Sequence, residues 1–338
     1  MPAPEDKKNL SHTVLKSDFA GRFHAISDSL EAVKECIARQ LVAGSESVDR
    51  RLEHVAMATG KMVRPALVLL CGKCCGGAGD LHVEIASIIE MVHVATLLHD
   101  DVIDHADSRR NVETANSRWG NESAVLLGDF VLSKAFAMSA RLDDSRISSV
   151  LADTAIRICA GELEQNAQRD NWRLSEKEYF EIIDAKTASL FGISCQLGAI
   201  AAGADEKTIK AFSDFGICLG MAFQVADDLI DITGLEKGEG KTLGRDIAER
   251  KPTLPVIHLI GTLKAGEADR LVEGLSAGQV PDDYQEMLDG SGSLEYGRKV
   301  AMDYCDRAIG CLNGIDGGEA KELLVDIVQI VRDRAVSH

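Results

Sequence analysis

Two segments of the chain carry the same spacing of aspartates inside stretches that are otherwise apolar. The segments read LLHDDVIDHADSRR and FQVADDLIDITG, and their acids are Asp100, Asp101, Asp104, Asp227, Asp228 and Asp231. At about 100° per residue, the first and last acid of each motif share one helix face. The apolar neighbours indicate buried helices, and buried carboxylates require cations. The repeat therefore predicts a site for Mg²⁺, which phosphate groups of a substrate commonly complete; internal salt bridges are the alternative.

The rest of the sequence favours helices. Of 338 residues, 45% are hydrophobic but only 4% are aromatic, and 6 are proline. Few prolines, many Ala and Leu, and no clear alternation of polar and apolar residues are typical of an all-α chain. The connections between helical stretches are short, and none is long and polar enough to mark a domain boundary. We predict a flexible tail at residues 1–20 and one helical domain at residues 21–338.

The net charge, the cysteines and the N-terminal segment indicate the type of partner and the cellular compartment. A net charge of −17 disfavours nucleic acid as a partner, because binding to phosphate backbones needs a basic surface. Nine scattered cysteines are typical of reduced, intracellular proteins. The polar N-terminal segment lacks the apolar core of a signal peptide. No stretch approaches the roughly 18 apolar residues of a membrane span. We expect a cytoplasmic protein without an integral membrane segment.

Basic residues recur in motifs near these acids. In GKMVRP, Lys61 and Arg64 are three residues apart, which places both on one face of a predicted helix. Arginine is suited to bidentate contacts with phosphate. The complete set of candidates is Lys61, Arg64, Arg109, Arg110, Lys186, Thr187, Lys241 and Lys251. Each lysine alone would be read as a solvated surface residue, so the set together indicates a phosphate-containing ligand.

A series of short motifs runs through the chain in a fixed order. They are GKMVRP, MVHVATLLHDDVIDHADSRR, GDFVLSKAF, GELEQ, YFEIIDAKTASLFG, FQVADDLIDITG and GKTLGRDIAERKPTLP. In sequence and order they resemble the trans-isoprenyl diphosphate synthases, also called polyprenyl synthases, over about residues 25 to 330. The family usually has glycine at Thr59 and at Asn111, and proline at Glu113. Because Asn adopts the left-handed conformation readily, we expect an altered loop rather than a lost site.

The resemblance implies a helical bundle of the isoprenoid synthase type around a central apolar cavity, with both acidic motifs near its mouth. The six aspartates would hold Mg²⁺, or Mn²⁺ in its place, on the diphosphate of an allylic substrate. The residues implied to assist there are Arg109, Lys186, Thr187, Gln224, Lys241 and Lys251. The residues implied to bind isopentenyl diphosphate are Lys61, Arg64, His93 and Arg110. Arg109 and Arg110 would thus address two diphosphates rather than neutralise the acids.

The resemblance also implies a mechanism. The catalytic residues would be Asp100, Asp101, Asp104, Lys186, Asp227 and Lys241. Cations stabilise the departing pyrophosphate, and the double bond of isopentenyl diphosphate attacks the resulting allylic cation. A dry cavity protects that cation from water. Family members are commonly homodimers, so the resemblance implies a homodimer. A long apolar product would also be compatible with transient contact with a membrane when the product is released.

The residues before the first motif bear on product length. Family enzymes that stop early place aromatic residues four or five positions before the first aspartate, where this chain has the small Thr96 and Ala95. This predicts a product longer than C20, with the floor of the cavity further down at Phe136 or Met138. The alternatives are a C20 geranylgeranyl diphosphate synthase, a non-catalytic subunit of a heteromeric synthase, and a class I terpene cyclase. The intact DDLID motif argues against the last two.

Overall fold

A computed structural model of the chain describes residues 23–57, 60–109, 112–233 and 244–336. The predicted tail, residues 1–20, lies outside this range, as do Thr59, Arg110, Asn111 and Lys241. Within the range, strand is limited to a hairpin of two short strands. The prediction of an all-α fold is therefore confirmed.

After a 3₁₀ turn at Phe23–Ile26, sixteen α-helices and the hairpin follow in the described part of the chain. The helices and strands in chain order are α1 Ser27–Gln40, α2 Glu46–Met57, α3 Val63–Cys74, α4 Asp80–Ile103, β1 Ser108–Arg109, β2 Val112–Glu113, α5 Ala115–Trp119, α6 Asn121–Ser139, α7 Ser145–Ala167, α8 Glu176–Ile183, α9 Ser189–Ala201, α10 Glu206–Thr233, α11 Arg245–Ala248, α12 Leu254–Thr262, α13 Ala265–Ser276, α14 Tyr284–Gly290, α15 Ser293–Cys311 and α16 Gly318–Val336. A π-helical turn, Asp184–Ala188, joins α8 to α9.

The chain divides into two compact units. The first consists of Met1–Arg141 with Gly317–Leu323, and the second of Leu142–Asp316 with Leu324–His338. The first acidic motif belongs to the first unit and the second motif to the second. The single catalytic domain proposed from the sequence stays a prediction.

The first unit is organised around α4, which packs against α6, α3 and α1. By length and composition alone α4 could cross a membrane, which corrects the expectation that no stretch approaches such a span. However, 67% of its most apolar window is buried inside the protein, and Ile85, Ile89 and Met91 are fully covered. A helix that is apolar on most faces and buried in this way is a core helix. The burial fits the prediction of an acidic motif on a largely apolar helix.

The second unit is organised around α10, which packs most extensively against α9 and α15. Its close contact with α9 depends on Gly216, because a Cβ atom there would lie 2.4 Å from the carbonyl oxygen of Phe191. Nearby, α8 starts at a capping box, in which Ser175 Oγ accepts from the N–H of Glu178 at 3.3 Å and the Glu178 carboxylate accepts from the N–H of Ser175 at 2.9 Å. The close contact positions α10, which carries the second acidic motif, and the capping box fixes the start of α8.

Candidate active site

The first acidic motif lies at the carboxyl end of α4. Asp101 is 6% exposed, while Asp100 and Asp104 are half-buried. The N–H of Asp104 donates to the carbonyl of Asp100 at 2.8 Å, so Asp104 completes the helical turn that its spacing predicted. The carboxyl end of a helix carries partial negative charge, which adds to the repulsion among the three acids. Positive charge is therefore needed at this position.

Arg109 on β1 supplies part of that charge. Its Nε and Nη2 atoms each lie 2.8 Å from Oδ1 of Asp101. The hairpin pairs Arg109 with Val112 and Ser108 with Glu113, and it returns the chain toward the end of α4. In this structure the hairpin brings the guanidinium of Arg109 onto Asp101, and the predicted contact of Arg109 with a substrate diphosphate stays a prediction.

The residues predicted to bind a second diphosphate lie in the same unit. Nη1 of Arg64 is 3.1 Å from Nε2 of His93, and because a guanidinium only donates, Nε2 of His93 is the acceptor. Lys61 is exposed and precedes α3, which begins at Val63. The prediction that Lys61 and Arg64 share a helical face is wrong, because Met62 between them has a left-handed backbone with φ of 55°.

In the second unit, Asp228 is the centre of a hydrogen-bond network. The residue is 4% exposed, and its carboxylate accepts from Tyr179 Oη at 2.6 Å and from Gln224 Nε2 at 2.8 Å. Thr187 Oγ1 in turn donates to Oε1 of Gln224 at 2.8 Å. The structure thus joins three predicted site residues, Thr187, Gln224 and Asp228. Tyr179 was not predicted, because its contact with Asp228 spans 49 positions of sequence.

Asp231, the last acid of the motif, caps the short helix α11. Its carboxylate accepts from the backbone N–H groups of Arg245 at 3.1 Å and of Asp246 at 3.0 Å. Burial raises the pKa of Asp231. Asp246 is half-buried, and desolvation together with the charges of Asp228 and Asp231 raises its pKa well above the usual range. A further carboxylate therefore lies near the three acids of the motif, and its place in GRDIAERKP is the only signal of it in the sequence.

Lys251 offsets part of this negative charge from a buried position. It is 7% exposed, its Nζ lies 2.6 Å from Oε2 of Glu249, and its charge lowers the pKa of Asp246. Its predicted contact with a substrate diphosphate stays a prediction, and in this structure it forms an ion pair with Glu249.

Lys186 lies on the π-helical turn between α8 and α9. Its Nζ is 2.5 Å from Oε2 of Glu162 and donates to Oε1 of Gln165 at 2.8 Å. Both partners belong to the GELEQ motif on α7, for which the sequence predicted no specific role. An ion pair between Arg157 and Asp184 fixes the start of the turn to α7. π-Helical turns are frequent at functional sites, because the extra residue redirects neighbouring side chains.

The predicted chain-length residues lie on two packed helices of the first unit. Ala95 on α4 is 1% exposed, and the hydroxyl of Thr96 donates to the carbonyl of His93 at 2.8 Å. Phe136 is half-buried and Met138 is buried on α6, the helix that packs against α4. This packing is compatible with a shared role, and the role itself stays a prediction.

The partners of the carboxylates in the two acidic motifs decide whether these residues fit a Mg²⁺ ion. Among the residues that the structure describes, no three Asp, Glu, His or Cys side chains form a ready-made metal cage. Mg²⁺ does not need one, because it keeps several waters and is bound by one or two carboxylates together with substrate phosphates. Both hydrogen-bond donors to Asp228, Tyr179 and Gln224, are neutral. The donor set therefore fits a hard divalent cation.

Burial of Asp228 has a measurable consequence for stability in the metal-free protein. Burial raises the pKa of Asp228 from 3.8 to about 7, against the opposing hydrogen bonds from Tyr179 and Gln224. The folded state therefore holds a proton that the unfolded state releases, so stability is lost as pH rises from 3.8 through about 7. The variant Asp228→Asn has no carboxyl group to ionise at this position, so its stability does not decrease with pH for this reason. With EDTA present, we expect the melting temperature of Asp228→Asn minus that of wild type to be larger at pH 8 than at pH 5. An equal difference at both pH values would contradict the assignment.

The chain is similar to known proteins over most of its length. A family model described as Polyprenyl synthetase matches residues 45–289. The octaprenyl diphosphate synthase of Escherichia coli is 34% identical over 313 residues, which cover 91% of this chain and 97% of that one. A decaprenyl diphosphate synthase structure from Rhodobacter capsulatus superposes with a TM-score of 0.87 at 33% identity, covering 94% and 99% of the two chains.

A second solved structure bears on ligands. It is a polyprenyl synthase from Caulobacter crescentus in complex with calcium and isoprenyl diphosphate, with a TM-score of 0.85 and 31% identity. The match covers 95% of this chain and 98% of that chain. These matches confirm the resemblance drawn from the motifs.

Proposed function

The chain belongs to the polyprenyl synthetase family, and from this premise we propose that it condenses isopentenyl diphosphate with an allylic diphosphate to form a trans-polyprenyl diphosphate longer than C20. The observation that carries the proposal is the hydrogen-bond network that joins Gln224 and Asp228 of the second acidic motif to Thr187, with the half-buried Asp231 three residues further along the same helix. Two solved structures to which the chain is similar are a decaprenyl diphosphate synthase and a polyprenyl synthase.

The aspartates of the two motifs are proposed to bind Mg²⁺ together with the allylic diphosphate. When bound, the metal neutralises diphosphate charge and so favours departure of pyrophosphate. Asp100, Asp101 and Asp104 are supported in this role by their position at the negative end of α4. Asp227, Asp228 and Asp231 are supported by the neutral donors around Asp228 and by the burial of Asp231.

Cationic side chains complete the binding of the allylic diphosphate in this proposal. Lys186 and Arg109 each face acidic partners in the structure, Glu162 and Asp101, from which they can reach phosphate oxygens by a rotamer change. Asp101 is 6% exposed, so the metal proposed to bind its carboxylate would take over the charge compensation that Arg109 supplies. Lys241 and Lys251 are proposed to act at the same diphosphate, and Lys241 lies outside the described residues.

The second substrate is proposed to bind through its own diphosphate. Lys61, Arg64, His93 and Arg110 form this set, supported by the contact of Arg64 with Nε2 of His93. In the reaction, the allylic C–O bond breaks and the bonding electrons leave with pyrophosphate. The double bond of isopentenyl diphosphate then forms the new C–C bond. Loss of one proton to pyrophosphate restores an allylic product.

The proposal is tested by incorporation of labelled isopentenyl diphosphate into an extractable product. The enzyme is first treated with EDTA and then given an allylic primer. We expect incorporation only after Mg²⁺ or Mn²⁺ is added back. A product that lacks diphosphate would indicate a cyclase, and no incorporation with any primer or metal would indicate a non-catalytic subunit.

Product length is predicted to depend on Ala95. Its side chain is 1% exposed on α4, so an aromatic ring there would fill space beside the first acidic motif. We expect Ala95→Phe to shorten the main product by at least one isoprene unit, as measured by chromatography of the dephosphorylated chains. Ala95→Met is the milder variant if the larger ring destabilises the core.

The matched control for this change is Ala137→Phe, which introduces the same ring at an exposed position of α6. We expect its product distribution to equal that of wild type. An unchanged distribution in both Ala95 variants, with normal folding, would refute the role of Ala95.

A homodimer in the cytoplasm is the proposed state of the enzyme. Large apolar side chains are exposed in each unit, with Leu126 on α6 at 67% and Ile156 and Leu163 on α7 at 69% and 70%. Ile156 and Leu163 are seven residues apart and so lie on one face of α7, and an apolar helix face that is exposed in one chain supports a contact with a second copy. All nine cysteines are free thiols, which is typical of a reducing compartment.

A further inference from the structure

One acid of the second motif, Asp227, has a cationic partner from the last helix. Nη2 of Arg334 on α16 lies 2.5 Å from Oδ1 of Asp227 on α10. The arginine side chain is 23% exposed and the aspartate side chain 36%. The pair therefore lies at the border between the interior of the second unit and solvent.

A second contact holds the guanidinium at this place. Arg334 lies over the ring of Phe223, with 5.1 Å between the guanidinium carbon and the ring centroid. Phe223 precedes Asp227 by four residues on α10, so the ring and the carboxylate lie one turn apart on the same face of the helix. Phe223 in turn packs against Phe191 of α9, with the ring centroids 5.4 Å apart. Arg334 is thus bound by an ion pair and a cation–π contact together.

Asp227 and Asp228 differ in the charge of the groups that donate hydrogen bonds to them. The hydrogen-bond donors to Asp228 are neutral, whereas Asp227 has one oxygen committed to a guanidinium. A Mg²⁺ ion needs a carboxylate oxygen at about 2.0–2.1 Å. A guanidinium at the same oxygen repels that ion and blocks one side of its approach.

We infer that Arg334 and a divalent cation compete for Asp227, so that Arg334 keeps this carboxylate charge-compensated until the metal binds. The inference rests on the proposed role of Asp227 as a metal ligand. Arg334 is on this account a positioning residue that acts through Asp227. It sets how tightly the substrate-free enzyme holds metal.

The test is a titration of the substrate-free enzyme with Mn²⁺, in which free Mn²⁺ is measured by electron paramagnetic resonance. We expect Arg334→Gln to bind Mn²⁺ about threefold to fivefold more tightly than wild type, the range for loss of a partly exposed ion pair. Arg334→Lys, which keeps the positive charge, is expected to remain close to wild type. A purely structural role for Arg334 would give weaker or unchanged Mn²⁺ binding and would overturn the inference.

The matched control is Arg332→Gln, on the same helix and paired with Asp306 instead. It removes the same charge and should leave Mn²⁺ affinity unchanged; an equal gain in this variant would overturn the specific pairing with Asp227.

If circular dichroism shows that Arg334→Gln is unfolded, Phe223→Leu removes only the ring beneath the guanidinium. This variant should tighten Mn²⁺ binding by about twofold, because it weakens the hold on the competitor. No change in the Phe223 variant would also count against the inference.

A double variant separates this inference from the proposed function. In the background of Asp227→Asn, Arg334→Gln should have no effect on Mn²⁺ affinity. If Asp227→Asn alone leaves Mn²⁺ binding unchanged, the proposed metal role of Asp227 fails. If Asp227→Asn weakens binding while Arg334→Gln has no effect, the metal role stands and only the competition is refuted.

Discussion

Replacing Asp228 by asparagine is expected to lower kcat by about 10³-fold while leaving the fold intact. Asparagine has nearly the same size, and its carbonyl oxygen can accept the hydrogen bond that Tyr179 Oη donates at 2.6 Å. The variant loses the negative charge, and its NH2 group replaces the oxygen that accepts from Gln224 Nε2 at 2.8 Å. Charge stabilisation by a bound metal is worth several kcal/mol in such reactions, and each 1.36 kcal/mol corresponds to a factor of ten in rate. The measurement is kcat at saturating substrates and Mg²⁺.

The matched control is Asp214→Asn on the same helix. Asp214 pairs with Lys210 one turn away at 2.8 Å, with side chains 48% and 75% exposed. Surface pairs of this kind contribute less than about 1 kcal/mol, so we expect kcat within about twofold of wild type. If Asp228→Asn retained the kcat of this control, the acidic motif would not be part of the catalytic machinery.

Replacing Gly220 by alanine is expected to disturb both the fold and the site. A Cβ atom at this position of α10 would lie 2.6 Å from Cα of Ala188 and 3.1 Å from Cβ of Phe191. Backbone must therefore move, which typically costs about 1–3 kcal/mol of unfolding free energy. Ala188 ends the π-helical turn that carries Lys186 and Thr187. Because a displacement of about 1 Å at a catalytic site can cost 10²-fold in rate, we expect a loss of that order in kcat/KM.

The control for this change is Gly310→Ala on α15, where a Cβ atom meets nothing within 4 Å. Alanine is favoured over glycine inside a helix by about 0.5–1 kcal/mol. We therefore expect equal or higher stability in urea unfolding and unchanged activity. Gly220→Ala with the stability and kcat/KM of Gly310→Ala would show that α10 and the turn can separate freely, in conflict with the packing described above.

Regular spacing explains which parts of the site the sequence could predict. Gln224 and Asp228 are four residues apart on one helix, so the periodicity alone places them on one face, and their side chains are hydrogen-bonded at 2.8 Å. The spacing of Asp100 and Asp104 likewise predicts the helical turn that their backbone hydrogen bond completes. The all-α class follows from the same periodicity together with the scarcity of proline.

Local backbone conformation and long-range contacts explain what the sequence did not predict. Met62 takes a left-handed conformation, so the helical spacing of Lys61 and Arg64 does not apply. The contacts of Asp228 with Tyr179 and of Asp227 with Arg334 join residues 49 and 107 positions apart. The partner of Arg109 was also missed, because only the hairpin brings it to Asp101. Helical periodicity carries no information about pairings of this kind.

The π-helical turn is a further feature that propensity does not predict. Asp184–Ala188 reads DAKTA, a composition that is compatible with an ordinary α-helix. Its wider turn depends on tertiary contacts, including the ion pair of Arg157 with Asp184 and the packing of Gly220 against Ala188. The sequence identified Lys186 and Thr187 as candidates, and the structure adds Glu162 and Gln165 as the partners of Lys186.

The length of the product tests the central claim most directly, namely that this chain is itself a long-chain trans-prenyltransferase. The purified protein is incubated with Mg²⁺, labelled isopentenyl diphosphate and, in separate reactions, C10, C15 and C20 allylic primers. The products are dephosphorylated and separated by chain length. We predict all-trans products longer than C20 from at least one primer, including extension of the C20 primer. Accumulation of C20 alone would assign the enzyme as a geranylgeranyl diphosphate synthase, and no incorporation from any primer would contradict the enzymatic function.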